Sequence, residues 1–304
     1  MATINTNMSA NIATNAMTRN ERSMGATMER LSTGIRINSA KDDAAGLAIS
    51  SKMSSQINGL NQAVRNANDA ISMIQVAEGA MGGMTNMLQR MRELAIQAIS
   101  DSNTATDRTA LDSEFDELKA AINDLAEDTQ WNGTALLTGS AGTSGTVTFQ
   151  IGANASQTIA VKFADFTTNE SLNTSNVVAD EPLKSLQTDS DAALDAVLGN
   201  STSTGLNIST SSDAALALVG LADAINNVDS QRATLGASMS RLEYASDNLT
   251  NIAQNTSAAR SRILDADYAA ETTELARTQI IQQAATAMLA QANQSQQQVL
   301  ALLR

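Results

Sequence analysis

The acidic residues of this 304-residue sequence form three groups whose spacing could support chemistry. They are the pair Asp42 and Asp43, the pair Asp265 and Asp267, and the run Asp112, Glu114, Asp116 and Glu117. Neighbouring carboxylates can act as general acid and base, and they can bind hard cations such as Ca²⁺. Each group is therefore a candidate for catalysis or for metal binding.

The residue types that would complete such sites are missing. The chain contains no histidine and no cysteine, which excludes Ser-His-Asp and Cys-His arrangements and the usual zinc sites. The Asp265 pair lacks the glycine and the distal glutamate of a calcium loop. The third group falls on a different helix face from Leu111, Phe115 and Leu118, which is typical of a solvated surface. We therefore predict no catalytic residue, metal or cofactor. An enzyme would need unrecognised Asp, Glu, Lys, Ser or Tyr chemistry.

Charge and hydropathy exclude further classes of function. The formal net charge is −13 and the basic residues are scattered, so binding to nucleic acid is not expected. No apolar run approaches the roughly 20 residues that span a bilayer. Residues 1–8 have neither a basic start nor an apolar run, so we expect no secretory signal peptide. These features predict a soluble protein without membrane insertion.

Two long parts of the chain repeat apolar residues every seven positions, which is typical of helices packed side by side. The first run contains Met53, Leu60, Ala67, Ile74, Met81, Leu88 and Ala95, with Ile57, Val64 and Ile71 between them. The second contains Ala214, Leu221, Val228, Leu235, Leu242, Leu249 and Ile263. The first run predicts a helix over residues 49–98, about 75 Å long. We expect the two stripes to bury each other in an antiparallel bundle, completed by a helix carrying Phe115 and Ile122.

A short segment between these helices alternates apolar and polar residues with a period of two. Val147, Phe149 and Ile151 alternate with polar residues, and Ile159, Val161 and Phe163 do so after a turn that contains Gly152. This pattern predicts a β-hairpin over residues 147–163. Residues 167–212 are rich in Ser, Thr, Asn and Asp, and we expect them to be exposed and variable.

The two ends of the chain carry narrow apolar faces. The apolar positions that we expect to drive pairing are Ile4, Met8, Ile12 and Leu31 at one end and Leu275, Leu289, Val299 and Leu303 at the other. The seven-residue column from Leu275 also contains Gln282 and Gln296, and the positions between its members include Thr278, Ala285 and Ala292, so about half of this face is polar or small. A helix with so small an apolar face gains most of its stability from partners. We therefore predict a mainly α self-assembling protein whose ends are disordered alone and helical when paired.

Several longer strings resemble those of bacterial flagellins. Residues 31–49 read LSTGIRINSAKDDAAGLAI, residues 261–268 read SRILDADY, and residues 288–294 read MLAQANQ. The hairpin string FQIGAN at 149–154 and the turn NGT at 132–134 are also similar to flagellin. The resemblance covers residues 1–165 and 215–304, and it leaves no room for large outer domains. The chain resembles a compact flagellin.

The resemblance implies a domain organisation. Residues 1–45 plus 256–304 would form an inner coiled-coil domain with a connecting spoke. Residues 46–180 plus 181–255 would form an outer helical bundle that includes the hairpin. The spoke motif would contain Arg36, Asn38, Lys41, Asp42 and Asp43. Family members polymerise into the hollow filament that drives swimming. They are exported unfolded by the flagellar type III route, which would explain a secreted, extracellular protein without a signal peptide.

The resemblance also implies partners. Besides other copies of the chain, these would be a flagellar export chaperone, the filament cap and the hook–filament junction proteins. A host Toll-like receptor recognises flagellins, and Arg90, Leu94 and Glu114 match its key contact positions. The zinc peptidase found in the outer domain of some flagellins is excluded by the lack of histidine.

Two alternatives remain open from the sequence. A hook–filament junction protein has similar ends and length, although the strings at 40–46 and 288–293 favour flagellin. A membrane-active translocator would also use amphipathic terminal helices, but such helices carry a strongly apolar or basic face. Neither end of this chain has one.

Overall fold

The computed structural model describes residues 7–167 and 206–302 and is mainly helical, as predicted. The helices are α1 (Met8–Thr33), α2 (Ala44–Ile99), α3 (Ala105–Asp128), α4 (Ser211–Leu264) and α5 (Tyr268–Leu302). The strands are β1 (Gln130–Trp131), β2 (Thr134–Ala135), β3 (Thr146–Gln150) and β4 (Thr158–Lys162). Most of the predicted variable segment lies outside the described residues. Within the described ranges, no helix combines the length and hydropathy needed to cross a membrane.

The chain folds into two compact units. One contains Met1–Ile57 and Ala253–Arg304, and the other contains Asn58–Ile252. One boundary falls within α2 and the other within α4.

The α2 helix buries a stripe whose members are spaced three and four residues apart. The buried residues are Leu60, Ala63, Ala67, Ala70, Ile74, Ala77, Met81, Met84, Leu88, Met91, Ala95 and Ala98. The predicted column from Leu60 to Ala95 is confirmed, but Val64 and Ile71 are only half-buried. The reason is that positions three and four residues after a column member lie on opposite sides of the column, and only one side is fully covered. In α2 the covered side carries Ala63 and Ala70, three residues after Leu60 and Ala67.

Apart from Ile263, which is half-buried near the end of α4, the other bundle helices bury the predicted residues. Along α4 these are Ala214, Leu221, Val228, Leu235, Leu242 and Leu249. On α3, Phe115 and Ile122 are fully buried. The Ser211 hydroxyl, at the start of α4, donates to the carbonyl of Ile99, at the end of α2, over 3.2 Å. The beginning of one helix thus meets the end of the other, which confirms the antiparallel arrangement.

The β-hairpin is confirmed, with β3 and β4 antiparallel and Phe149 opposite Ile159. It lies against α2, because the Asn66 side-chain amide donates to the Gln150 carbonyl over 3.0 Å. A second, shorter pair, β1 and β2, turns at Asn132 and Gly133, with φ values of 50° and 78°. Two consecutive positive φ values are typical of the tight type I′ turn.

Three glycines lie close together within α2, and they differ in the space around them. A Cβ atom added at Gly79 or Gly82 would meet nothing within 4 Å, whereas one at Gly83 would lie 3.3 Å from Cδ2 of Leu125. We expect Gly82→Ala to raise the free energy of unfolding by about 0.5–1 kcal/mol, because alanine favours the helix and loses less backbone entropy on folding. Urea unfolding measures this effect. Gly83→Ala is the matched control, and a gain at Gly82 no larger than at Gly83 would contradict the prediction.

Candidate functional site

The terminal helices α1 and α5 pair with each other in antiparallel orientation. The Asn7 side-chain amide, at the start of α1, donates to the Ala292 carbonyl over 3.3 Å. The Tyr268 hydroxyl, at the start of α5, donates to the Leu31 carbonyl near the end of α1 over 2.9 Å. The predicted pairing of the N- and C-terminal helices is therefore confirmed.

The residues that face each other form what we call the α1–α5 seam. On α1 they are Ala10, Ala13, Met17, Asn20, Met24, Thr27 and Leu31, and on α5 they are Leu275, Thr278, Gln282, Ala285, Leu289 and Ala292. Both sets alternate spacings of three and four residues, as in a coiled coil. Of the predicted pairing residues, Leu31, Leu275 and Leu289 lie on this seam.

The middle of the α1–α5 seam is polar. Asn20 is only 8% exposed, and its amide nitrogen donates to the Thr278 carbonyl over 2.8 Å and to Oε1 of Gln282 over 3.1 Å. Thr278 itself is 2% exposed, and its hydroxyl donates to the Glu274 carbonyl over 2.9 Å. A buried polar group costs free energy unless it is hydrogen-bonded, and each of these donors has an acceptor. Asn20 is not among the predicted pairing residues, although it lies seven residues from both Ala13 and Thr27.

Both helices also carry large apolar side chains away from the seam. On α1, Met8 is 57% and Ile12 is 65% exposed, so neither faces α5 in this chain. On α5, Ile280 and Met288 are each 66% exposed. We call these four side chains the outer apolar residues. The seam itself combines Met17, Met24 and three leucines with small and polar residues. Ile4 and Leu303 lie outside the described residues, and Val299 belongs to the last turns of α5.

Arg36, one of the residues predicted to form the spoke, joins two connecting segments. The α1 helix ends at Gly34, whose φ of 70° is the left-handed conformation that glycine adopts readily. The Arg36 backbone N–H donates to the Leu264 carbonyl over 2.6 Å, and its guanidinium Nη2 donates to the Ile263 carbonyl over 2.7 Å. A cation is favourable at the C-terminus of a helix. Arg36 thus stabilises the end of α4.

The Asp42 and Asp43 carboxylates hold backbone N–H groups at the start of α2. Oδ2 of Asp42 accepts from the N–H of Asn38 over 3.2 Å and from that of Ser39 over 3.0 Å. Oδ1 of Asp43 accepts from the N–H of Gly46 over 2.9 Å and so caps the helix. Lys41, directly before Asp42, is exposed. The pair therefore has a structural role.

The hydrogen bonds at Asp42 predict a pH dependence. Donation by the Ser39 hydroxyl, and then by the Ser39 N–H, lowers the pKa of Asp42 below its ordinary value of 3.8. The carboxylate thus stabilises this turn above pH 3.8, and the contribution is lost as the pH falls through the lowered pKa. We expect Asp42→Ala to reduce the hydrogen-exchange protection of the Asn38 and Ser39 amides at neutral pH.

The difference between Asp42→Ala and the unmodified chain is expected to shrink in acid, because the carboxyl group is then neutral in the unmodified chain as well. Lys41→Ala, one residue away, is the control and is expected to leave the protection unchanged. A protection difference that stays constant between neutral and acid pH would count against a charge-dependent role.

Three further candidate carboxylates, those of Asp267, Asp265 and Asp112, also hold backbone groups or hydroxyls. Oδ1 of Asp267 accepts from the Ala269 N–H over 2.9 Å at the start of α5, and Asp265 accepts from the Ser261 hydroxyl. Oδ1 of Asp112 accepts from the N–H of Ile208 over 2.8 Å. Among the residues that the structure describes, no group of three or more acidic side chains is arranged to hold a metal ion.

The candidate receptor residues lie in two different environments. The Arg90 guanidinium donates to Oε1 of Glu114 over 2.8 Å and to Oε2 of Glu93 over 3.0 Å, and all three side chains are exposed. The Glu114 carboxylate, followed by Glu93, raises the pKa of Arg90 above its ordinary value. Leu94 is 1% exposed. We therefore no longer expect Leu94 to contact the receptor directly, because its side chain lies on the inward face of α2.

Comparison with known proteins identifies the family. Residues 4–142 match the bacterial flagellin N-terminal helical region, and residues 218–303 match the C-terminal helical region. The chain is 36% identical to polar flagellin F of Vibrio parahaemolyticus over 376 aligned residues, covering 99% of both chains. It is also 36% identical to flagellin B of Vibrio cholerae over 374 residues, again covering 99% of both. Both alignments are longer than this chain, so the relatives contain segments that it lacks.

A solved structure from Vibrio parahaemolyticus, described as a putative flagellar hook-associated protein, has a similar fold. Its TM-score is 0.55 at 14% identity, and the match covers 74% of this chain and all of the other. At that identity the likeness concerns the fold alone. The two family matches and the 36% identity to flagellins decide the assignment. The chain is therefore a member of the bacterial flagellin family, a structural subunit of the extracellular flagellar filament.

Proposed function

We propose that the chain leaves the cell unfolded by the flagellar type III route and that its terminal helices fold as it joins the growing tip. The observation that supports this proposal is the exposure of the outer apolar residues Met8, Ile12, Ile280 and Met288. Large apolar side chains on helices with a small, partly polar seam favour burial against further copies. Folding of the ends is then coupled to assembly.

The proposed domain roles follow the same reasoning. Residues 1–45 plus 256–304 would form the inner part of the filament, with Ile4, Val299 and Leu303 contributing to contacts between subunits. Residues 46–180 plus 181–255 would form its outer part. The spoke residues Arg36, Asn38, Lys41, Asp42 and Asp43 would hold the connecting segments in the geometry that assembly requires. An export chaperone, the filament cap and the hook–filament junction proteins would be the further partners.

Limited proteolysis of the monomer beside the polymer tests the coupled folding. In the monomer we expect cleavage within the ends, up to about Arg36 and from about Ile263, because unpaired ends are accessible to protease. In filaments the same sites should be protected by neighbouring subunits. Equal protection in the two states would contradict the proposal, and an unfolded substrate protein added to both samples serves as the control for protease activity.

A second proposed function is recognition by the host Toll-like receptor. The exposed ion pair between Arg90 and Glu114 supports it, since it presents a fixed guanidinium on the surface of α2. In a receptor-reporter assay, Arg90→Ala should lower the response, whereas Arg92→Ala, an exposed arginine two residues away, should not. An equal response to the two variants would count against this surface.

A further inference from the structure

The polar middle of the α1–α5 seam suggests a role beyond stability. Its central side chain, Asn20, uses its amide nitrogen twice, toward the Thr278 carbonyl at 2.8 Å and toward Oε1 of Gln282 at 3.1 Å. Gln282 in turn donates to Oε1 of Glu21 over 3.3 Å. The three side chains form a short hydrogen-bonded chain across the two helices. We propose that Asn20 and Gln282 specify the register in which the two ends of the chain pair.

The residues seven positions before and after Gln282 on α5 support this role. Residues seven positions apart occupy equivalent places on a coiled coil. The residues equivalent to Gln282 are Leu275 on one side and Leu289 on the other, and both lie on the seam. If α5 slips by seven residues in either direction, Asn20 meets a leucine instead of Gln282.

A slipped pairing keeps the contact that Asn20 makes with a backbone carbonyl, because every turn of α5 offers one. It loses the contact with Gln282, and it places the Gln282 amide beside apolar or small residues of α1. The buried Asn20 amide then loses one of its two acceptors, and the half-buried Gln282 loses its partner on α1, which is costly. The apolar members of the seam discriminate poorly between registers, since leucine, methionine and alanine accept each other with little penalty.

The structure therefore assigns the choice between registers to one polar pair, Asn20 and Gln282. A buried asparagine that specifies the register of a coiled coil, at some cost in stability, is an established use of buried polarity. Here both ends belong to one chain and flank more than two hundred intervening residues, so a wrong register would misplace every outer apolar residue. Asn20 and Gln282 act as positioning residues for the pair of ends.

Intrachain disulfide trapping can measure the register, because the chain contains no cysteine that would interfere. Ala13 and Ala285 lie between the Asn20–Thr278 and Asn7–Ala292 contacts, so Ala13→Cys with Ala285→Cys reports the observed register. Ala13→Cys with Ala292→Cys reports a slip of seven residues. The full-length chain is equilibrated in a glutathione redox buffer, and the effective concentration of each thiol pair is read from the fraction of intrachain disulfide.

In the chain that carries only the paired cysteine substitutions, the thiols at positions 13 and 285 should link much more readily than those at 13 and 292. In the double variant Asn20→Leu with Gln282→Leu, which makes positions 275, 282 and 289 all leucine, we expect the ratio of observed to slipped linkage to fall by about ten-fold. This variant should not lose helicity, since leucine favours both the helix and the seam. Met24→Leu, a neighbouring seam position, is the control and should leave the ratio unchanged.

An unchanged ratio in the double variant, or an equal fall in the Met24→Leu control, would overturn the inference. The measurement is made on chains assembled into filaments, where the proposed function has the ends folded, and electrophoresis of the dissociated chains without reductant counts only the disulfides within one chain. It therefore rests on the proposed folding of the ends, whose failure the proteolysis experiment detects separately.

Discussion

Replacing Ile280 and Met288 together by serine is expected to prevent polymerisation at concentrations where the unmodified chain assembles. Each side chain is 66% exposed on α5, so neither contributes much to the stability of the isolated subunit. If subunit contacts bury both, they contribute about 2–4 kcal/mol per subunit through the hydrophobic effect. Losing that contribution raises the critical concentration by about 30-fold to 1,000-fold. Sedimentation over a series of protein concentrations measures the change.

The conservative pair Ile280→Leu with Met288→Leu is the control for this experiment. It keeps the apolar area and nearly the volume of the two side chains, so assembly should proceed as in the unmodified chain. Circular dichroism of the soluble protein should show the same helicity for both pairs of substitutions. A critical concentration that does not change in the serine variant would show that these outer apolar residues remain exposed in the filament.

Replacing Phe115 by alanine is expected to cause the largest loss of stability in the unit that contains Asn58–Ile252. Phe115 is fully buried on α3, in the interior that α3 shares with the neighbouring helices. Its removal forfeits the transfer free energy of an aromatic ring and leaves a cavity, which together cost about 3–5 kcal/mol. The single tryptophan of the chain, Trp131, follows α3 closely and provides a fluorescence signal for urea unfolding.

Ser113→Ala provides the matched control on the same helix. Ser113 is exposed, two residues before Phe115, and its loss should change the free energy of unfolding by less than about 0.5 kcal/mol. If Phe115→Ala costs as little as this control, the α3 helix is not part of the cooperative core.

The long helices could be predicted from sequence because their heptad columns persist over many turns. The expected helix over 49–98 corresponds to α2 at Ala44–Ile99, and the predicted column of α4 is buried from Ala214 to Leu249. The predicted start of α2 lies about five residues too late, because apolar spacing does not register a cap. Asp43 decides that boundary by accepting the N–H of Gly46.

Apolar spacing could not predict in the same way which residues of the two terminal helices face each other. Hydropathy favours Met8 and Ile12 as pairing residues, yet the seam uses Ala10 and Ala13 while the larger side chains point elsewhere. The match to a motif predicts a surface contact at Leu94, but Leu94 is buried. In each case the residue type indicates how readily the side chain is buried, but it does not indicate which neighbour covers that side chain.

Local patterns were enough to predict the helices, the hairpin, the exclusion of histidine and cysteine chemistry, and the resemblance to flagellin. These follow from periodicity, composition and motifs, which can be read along the chain. Three features became evident only in the folded molecule: the carboxylate pairs cap helices and turns, Asn20 meets Gln282, and the outer apolar residues stay uncovered in one subunit. They escape sequence analysis because periodicity assigns residues to a common face, whereas the burial of that face depends on how closely a distant segment approaches it.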